Sequence, residues 1–200
     1  SFAVSGPSIY AGSWGGGVCL SVDDGETWSA TGGVPGDPYP IVTALAACMR
    51  GDRVYAGGNF GAAISNDAGA SWTQVSDGLS GGWVRDLALR GTTLYAMLDD
   101  GVYRLAPGST AWVAWNDGLS AVNGMQSFRT TANALYLATH EGGVYHIDCG
   151  DSSWVVMNDG LWDDNVDTIV EIDHSLYAGT MGNGLFRYDS QFATWTAVTE

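Results

Sequence analysis

An all-β chain built from five repeats of a four-stranded antiparallel meander is what this 200-residue sequence predicts, and three observations predict it. A tryptophan returns at Trp28, Trp72, Trp112, Trp154 and Trp195. Seventeen or eighteen residues before each stands an aliphatic–tyrosine pair: Ile9-Tyr10, Val54-Tyr55, Leu94-Tyr95, Leu135-Tyr136 and Leu176-Tyr177. Between the two anchors lies Gly-Val-Tyr or a relative of it: Gly17-Val18-Cys19, Gly101-Val102-Tyr103, Gly143-Val144-Tyr145 and Gly184-Leu185-Phe186. Both anchors recur every 40 to 45 residues, the interval of a propeller blade.

Each repeat then resolves into elements. Phe2-Ala3-Val4 opens repeat one and aligns with Leu87-Ala88-Leu89 and Ile169-Val170-Glu171 as first strands. The tyrosine pair marks the second strand, Gly-Val-Tyr the third, and the tryptophan the start of the fourth. These runs are short, rich in Val, Ile, Leu, Tyr and Trp, and separated by Gly, Asp and Asn, as hairpin-linked strands require. No segment of about ten residues sustains a 3.6-residue period, so helix is expected to be nearly absent. The repeats span roughly 1–36, 37–79, 80–119, 120–161 and 162–200 of one domain. Repeat two opens on Gly36-Asp37-Pro38-Tyr39-Pro40, whose two prolines favour an extended crossing. Asp77-Gly78-Leu79, Asp117-Gly118-Leu119 and Asp159-Gly160-Leu161 close repeats two, three and four. Closure of a ring by packing repeat one on repeat five is expected; a longer ring or a swapped assembly would give the same ends.

Two of the five tryptophans end an octet of the form Ser-x-Asp-x-Gly-x-(Thr/Ser)-Trp. The octets are Ser21 to Trp28 and Ser65 to Trp72. Asp23 and Asp67, with Ser21 and Ser65, are expected to accept backbone N–H bonds, while Gly25 and Gly69 supply a left-handed backbone. Trp28 and Trp72 offer a flat face to bury between layers. These octets resemble the Asp-box, or BNR, repeat of sialidase-like β-propellers. In repeats three, four and five the Asp and Gly places hold Pro107 and Ser109, Cys149 and Asp151, and Ser190 and Phe192. The tryptophan persists while the turn chemistry decays, which marks it as the packing element. The resemblance implies an extracellular or periplasmic, secreted and lectin-like or hydrolytic protein.

Composition limits the partners. Twenty-two acids face seven arginines, no lysine occurs, and the net charge is −15. Such a surface repels phosphate backbones, which disfavours nucleic acid and anionic membrane faces. No apolar run approaches the roughly eighteen residues of a membrane span. Three cysteines support no disulfide framework: Cys19 and Cys48 read as packed thiols, and Cys149 as exposed.

Antiparallel blades send their connections alternately to two ends. The turn between strands two and three shares one end with the blade-to-blade linker, and the Asp-box turn lies at the other. In the family resembled, ligands bind away from the Asp-boxes. That end is expected to gather Trp14, Phe60, Asp99, Asp100, His140 and Glu141 from the short turns. Linkers add Tyr39, Trp83, Trp162, Asp163, Asp164 and Asn165, together with Asp37, Arg85 and Asn123. Aromatic rings beside carboxylates and amides suit sugars, the ring covering C–H faces and the polar groups taking hydroxyls. Trp14 and Trp83 fit packing between blades equally well, whereas Trp162 is the ring expected in solvent.

A sialidase needs three arginines on its substrate's carboxylate; only Arg85 maps to this end, so that activity is not expected. A neutral-glycan hydrolase needs two facing carboxyl groups, for which Glu141, Asp164 and Asp99 are the candidates. His140, His146 and His174 fall on different strands or ends and predict no His-based metal centre. Asp163-x-Asn165-x-Asp167 resembles the start of a calcium loop but has Thr168 at the glycine position and His174 at the closing-Glu position, so no cofactor is expected beyond loosely held calcium. The leading expectation is a non-catalytic propeller binding a neutral glycan. A small glycoside hydrolase and a protein-binding assembly factor are the alternatives, and the oligomeric state stays open.

Overall fold

The computed structural model describes residues 1–36, 39–47, 52–120, 124–131 and 133–198. Cys48, Asp37 and Asn123 lie outside them. Among the described residues there are twenty strands in five four-stranded antiparallel sheets and no helix. Blade one is β1 (Phe2–Ser5), β2 (Ser8–Gly12), β3 (Val18–Ser21) and β4 (Ser29–Ala30). Blade two is β5 (Val42–Ala47), β6 (Val54–Gly58), β7 (Gly61–Ser65) and β8 (Thr73–Gln74). Blade three is β9 (Asp86–Arg90), β10 (Thr93–Leu98), β11 (Gly101–Leu105) and β12 (Val113–Ala114). Blade four is β13 (Met125–Thr130), β14 (Ala134–Thr139), β15 (Gly143–Asp148) and β16 (Val155–Val156). Blade five is β17 (Val166–Ile172), β18 (Ser175–Thr180), β19 (Gly184–Asp189) and β20 (Thr194–Ala197). In every sheet the strands lie in chain order, which is the meander of a propeller blade. The protein is a five-bladed β-propeller.

The blades group into two compact units. One comprises Ser1–Leu98 with Val102–Ala114; the other comprises Trp115–Glu200 with Asp99–Gly101. Within the first, Ala44, Tyr55 and Ala62 of blade two meet Leu87, Leu94, Tyr103 and Trp112 of blade three in one buried cluster. A second cluster joins Ala3, Tyr10 and Val18 of blade one to Leu45, Val54 and Trp72 of blade two. Within the second unit, Ala138 and Val144 of blade four pack on Ile169, Ala178, Phe186 and Trp195 of blade five. The clusters lie between sheets because a blade has two apolar faces and covers each with a neighbour.

The repeating tryptophan is a hydrogen-bonded wedge. The indole N–H of Trp112 donates to the Val75 carbonyl at 2.5 Å, that of Trp154 to Trp115 at 2.9 Å, and that of Trp195 to Met157 at 2.6 Å. Trp72 donates to the Thr31 hydroxyl at 3.3 Å. In all four cases the acceptor is the residue directly after the preceding blade's fourth strand. The backbone N–H groups of Trp112, Trp154 and Trp195 donate to the carbonyls of Asp77, Asp117 and Asp159 at 2.7–2.8 Å. These carbonyls begin the three Asp-Gly-Leu triplets. Gly118, at φ 84°, shows why the next residue lacks a side chain: a Cβ there would overlap the Trp154 carbonyl oxygen, and Gly78 and Gly160 stand in the same relation to Trp112 and Trp195.

The fourth strands of blades one to four are two residues long. The chain leaves the ladder early to reach the next blade, and side chains take over the bonding. Asn158 accepts the Val144 N–H at 2.8 Å and donates to the Gly142 carbonyl at 2.9 Å. Ser76 accepts the Ala62 N–H at 3.0 Å in the same way.

Both octets form the expected turn. Asp23 Oδ1 accepts from the Ser21 hydroxyl at 2.8 Å and the Thr27 N–H at 2.9 Å, while Oδ2 accepts the Thr27 hydroxyl at 2.5 Å. Asp67 repeats this with Ser65 at 2.8 Å and Ser71 at 2.8 and 2.6 Å. Ser21 and Ser65 accept the N–H of Gly25 and Gly69 at 2.9 and 2.8 Å. These bonds, led by the Thr27 and Ser71 hydroxyls, hold both carboxyls below their ordinary pKa.

Candidate functional site

In each unit, contacts tie the second-to-third-strand turns to the linkers at one end of the blades. In the first unit the β2–β3 turn meets the linker into β5. Gly15 N–H donates to the Pro40 carbonyl at 3.1 Å, Val42 N–H donates to the Ser13 carbonyl at 3.0 Å, and Trp14 pairs with Ile41. Trp14 is 78% exposed and stands edge-to-face on Trp83, with centroids 6.2 Å apart and planes at 60°. Trp83 is half-buried beneath it and serves as its support. Tyr39, one residue before Pro40, is also exposed. These three aromatics come from three different connections to the same end.

Phe60 is a correction. The β6–β7 turn carries it, but at 8% exposure it packs in the cluster containing Tyr10, Val42 and Trp72, so burial takes it off the exposed surface of that end.

In the second unit the β14–β15 turn meets the linker into β17. Gly143 N–H donates to the Asp164 carbonyl at 2.9 Å, and His140 Nε2 lies 2.7 Å from Asp167 Oδ1. Asp167 is the extra residue of a register shift between Val166 and Thr168 at the start of β17. Bulges at sheet margins re-aim side chains, and this one accompanies a contact that spacing did not reveal. Glu141 is exposed beside His140 at φ 64°. Trp162 is 75% exposed and rests edge-on against buried Phe186, at 5.8 Å and 85°.

Asp163 and Asn165 belong to the scaffold of this end. Asp163 Oδ1 accepts from the Asn165 N–H and side-chain amide at 3.0 and 3.2 Å, and Oδ2 accepts from Gly182 N–H and the Asn183 amide at 3.1 Å each. The set, led by the Asn165 backbone bond, holds the Asp163 carboxyl below its ordinary pKa. It pins the linker to the β18–β19 turn and thereby fixes Trp162, one residue earlier. Asp163 faces Gly182 and Asn183 while Asp167 faces His140, so the two do not converge as a calcium loop would require. Among the described residues no group of three or more His, Cys, Asp or Glu side chains is placed to hold a metal.

Of the hydrolase candidates, Glu141 and Asp164 are exposed on facing connections of the second unit, and Asp99 is exposed in the β10–β11 turn. Arg53 and Arg187 bond to Asn66 and Ser175 at 3.0 Å, at the opposite end of their blades. That end also carries two clefts. One, of about 360 Å³, is lined by Tyr136, Glu171, Arg187 and Tyr188; the other, of about 210 Å³, is lined by Arg53, Tyr55 and Pro107. The exposed indoles stand instead on open surface. Cys149 is exposed and Cys19 half-buried, both as free thiols.

No family model and no curated protein sequence matches the chain. Solved structures do. A structure described as YCF48 bound to D1 peptide superposes with a TM-score of 0.78 at 16% identity, over 99% of this chain and 67% of that one. An ancestral GH74 enzyme gives 0.77 at 19% identity, over 100% of this chain and 31% of that one. The extracellular domain of a putative one-component system of B. thetaiotaomicron gives 0.76 at 19%, over 98% and 27%. The latter two are about three times this chain's length or more. At these identities the likeness is one of fold.

Proposed function

We propose that this propeller is a recognition module that binds a neutral glycan on the linker end of its blades. The observation that carries the reading is the exposure of Trp14 and Trp162, each held upright by a second ring and a hydrogen-bonded linker. An indole left in water costs about 2 kcal/mol or more of unrealised burial, and a rigid one loses little further freedom when a ligand covers it. Sugar C–H faces match such rings, and the neighbouring Glu141, Asp164 and Asn183 offer acceptors and donors for hydroxyls. Open surface around each ring favours a polymer lying over it to a small molecule enclosed by it.

Calorimetry and glycan arrays with neutral oligosaccharides test this. Trp14→Ala and Trp162→Ala are each expected to weaken binding at least tenfold with the thermal midpoint little changed. Flat arrays and silent calorimetry across neutral sugars overturn it. A peptide ligand is the second reading, favoured by the peptide-bound state of the similar YCF48 structure. The same two substitutions then abolish capture of a peptide while sugars leave the protein unaffected. Release of new reducing ends from a polysaccharide, lost in Glu141→Gln or Asp164→Asn, would instead make the site hydrolytic.

A further inference from the structure

The turns between second and third strands lead into a glycine in every blade, and the residue before that glycine differs: Gly16, Phe60, Asp100, Gly142 and Asn183. Blade five alone reads Asn-Gly there. Glycine has no Cβ to shield its backbone nitrogen, so an asparagine before it is open to attack on its own side chain. Asn-Gly occurs once more, at Asn123-Gly124, where Asn123 lies outside the described residues. Asn183 is exposed, and its amide is part of the pin between the β18–β19 turn and the linker into β17. Its Nδ2 donates to Asp163 Oδ2 at 3.1 Å, beside the Gly182 N–H on the same oxygen. Its backbone N–H donates to the Thr180 hydroxyl at 3.1 Å. Asp163 accepts in all of its bonds described above, so what faces it must donate.

We propose that Asn183 is a site of spontaneous deamidation, and that its conversion to a carboxylate releases the linker presenting Trp162. The Gly184 nitrogen attacks Asn183 Cγ, the Cγ–Nδ2 bond breaks, and ammonia leaves with the Gly184 proton. Water then opens the cyclic imide. Cleavage of its Cγ–N bond gives aspartate, and cleavage of its backbone C–N bond gives isoaspartate. The sum is amide plus water to acid plus ammonia, with no change of oxidation state. Either product replaces a donor by an acceptor opposite Asp163, and like charges so placed repel. Isoaspartate also lengthens the main chain of the turn and displaces the Thr180 bond. Trp162 precedes Asp163 and stands edge-on to Phe186 at 5.8 Å, so loosening Asp163 frees the ring. The bond from Gly143 N–H to the Asp164 carbonyl at 2.9 Å does not involve Asn183, which keeps the change local. The consequence for ligands rests on the recognition reading above: binding at Trp162 weakens as the protein ages.

The test ages the whole chain in mildly alkaline buffer and maps its peptides by mass spectrometry, which separates Asn183-Gly184 from Asn123-Gly124. Hydrogen exchange is then compared among fresh protein, aged protein and the variants Asn183→Asp and Asn183→Gln. Asn183 is expected to become aspartate and isoaspartate, while Asn183→Gln keeps its amide. In aged protein and in Asn183→Asp, the amides of Gly182 and Asn165 should exchange at least about tenfold faster, as expected on losing a hydrogen bond to a charged group. Should Asn183→Asp not fold, the aged wild type carries the same comparison. An Asn183 that stays an amide in the folded protein while converting in urea overturns the proposal. So does unchanged exchange at Gly182 and Asn165 after conversion, or acceleration spread evenly over blades four and five. Neutral oligosaccharides are titrated into the same samples. Fresh protein that binds none defeats the recognition reading, whereas mass and exchange decide this one.

Discussion

The octets ending in Trp28 and Trp72 make the same set of Ser–Asp side-chain bonds and then part company. Ser21–Asp23 and Ser65–Asp67 both measure 2.8 Å, and the hydroxyl bonds to the second carboxylate oxygen are 2.5 and 2.6 Å. Yet Trp72 is buried against blade one, while Trp28 lies half in water on its own loop. The side-chain bonds of the turn are therefore local: each set closes within its eight residues. The burial of the ring is not local: it is conferred by the neighbouring blade. Blades three to five argue the same point from the other side, since Trp112, Trp154 and Trp195 are buried after turns that lack the Ser-Asp-Gly pattern.

The largest test of that division is Trp154→Ala. Trp154 loses its indole bond to Trp115 and its contacts with Trp115 at 5.5 Å and Phe128 at 6.0 Å. A cost of about 3–5 kcal/mol is expected from urea denaturation, as for other buried large-to-small changes. A loss below about 1.5 kcal/mol would mean the ring is not what joins the blades. Gly118→Ala comes next. The added Cβ meets the Trp154 carbonyl oxygen and also strains a backbone at φ 84°, so it should cost more than about 1 kcal/mol. Gly108→Ala, at φ 76° with open space around it, carries only the backbone part and should cost less. Equal losses at the two sites would remove the close approach as the reason for the Asp-Gly-Leu triplets.

Most of the fold could be read from the sequence because its determinants repeat. Trp72, Trp112, Trp154 and Trp195 are buried, as are the tyrosine anchors Tyr10, Tyr55 and Tyr95, so their period is the blade period. The role of Asp77-Gly78-Leu79 and its two relatives was harder to read. The triplet was visible, but its purpose lies in the backbone of the following blade, some 35 residues away. At the candidate site, side-chain type misled at Phe60, where a turn residue is folded into the core, and at Asp163, where a surface carboxylate is spent on four turn bonds. Asp167 was unreadable as a partner of His140 because a bulge sets its direction, and bulges leave no mark in residue spacing.

A smaller effect is expected at Trp28→Ala: about 1 kcal/mol or less in the monomer, because the ring is half in solvent already. Its ratio to the Trp154→Ala loss measures how much of each tryptophan's stabilisation comes from a neighbour. A Trp28 loss as large as that of Trp154 would mean the octet itself, and not the adjoining blade, stabilises the fold.

The pH response of the two octets sharpens the comparison furthest, since it isolates the turn from the ring. Asp23 and Asp67 have folded pKa values below the ordinary 3.8 because their neighbours bond to the charged form. The sign follows from linkage: their stabilisation is fully present above the unfolded value, and it is lost as pH falls through the lower folded value. Asp23→Asn and Asp67→Asn should each flatten the acid limb of a plot of denaturation midpoint against pH below about 4. Because the two carboxylates have the same partners and are both solvent-facing, the two changes should match in size despite the different burial of Trp28 and Trp72. A much larger acid dependence at Asp67 would show that the turn senses the buried ring after it, and would end the separation of local turn from borrowed burial.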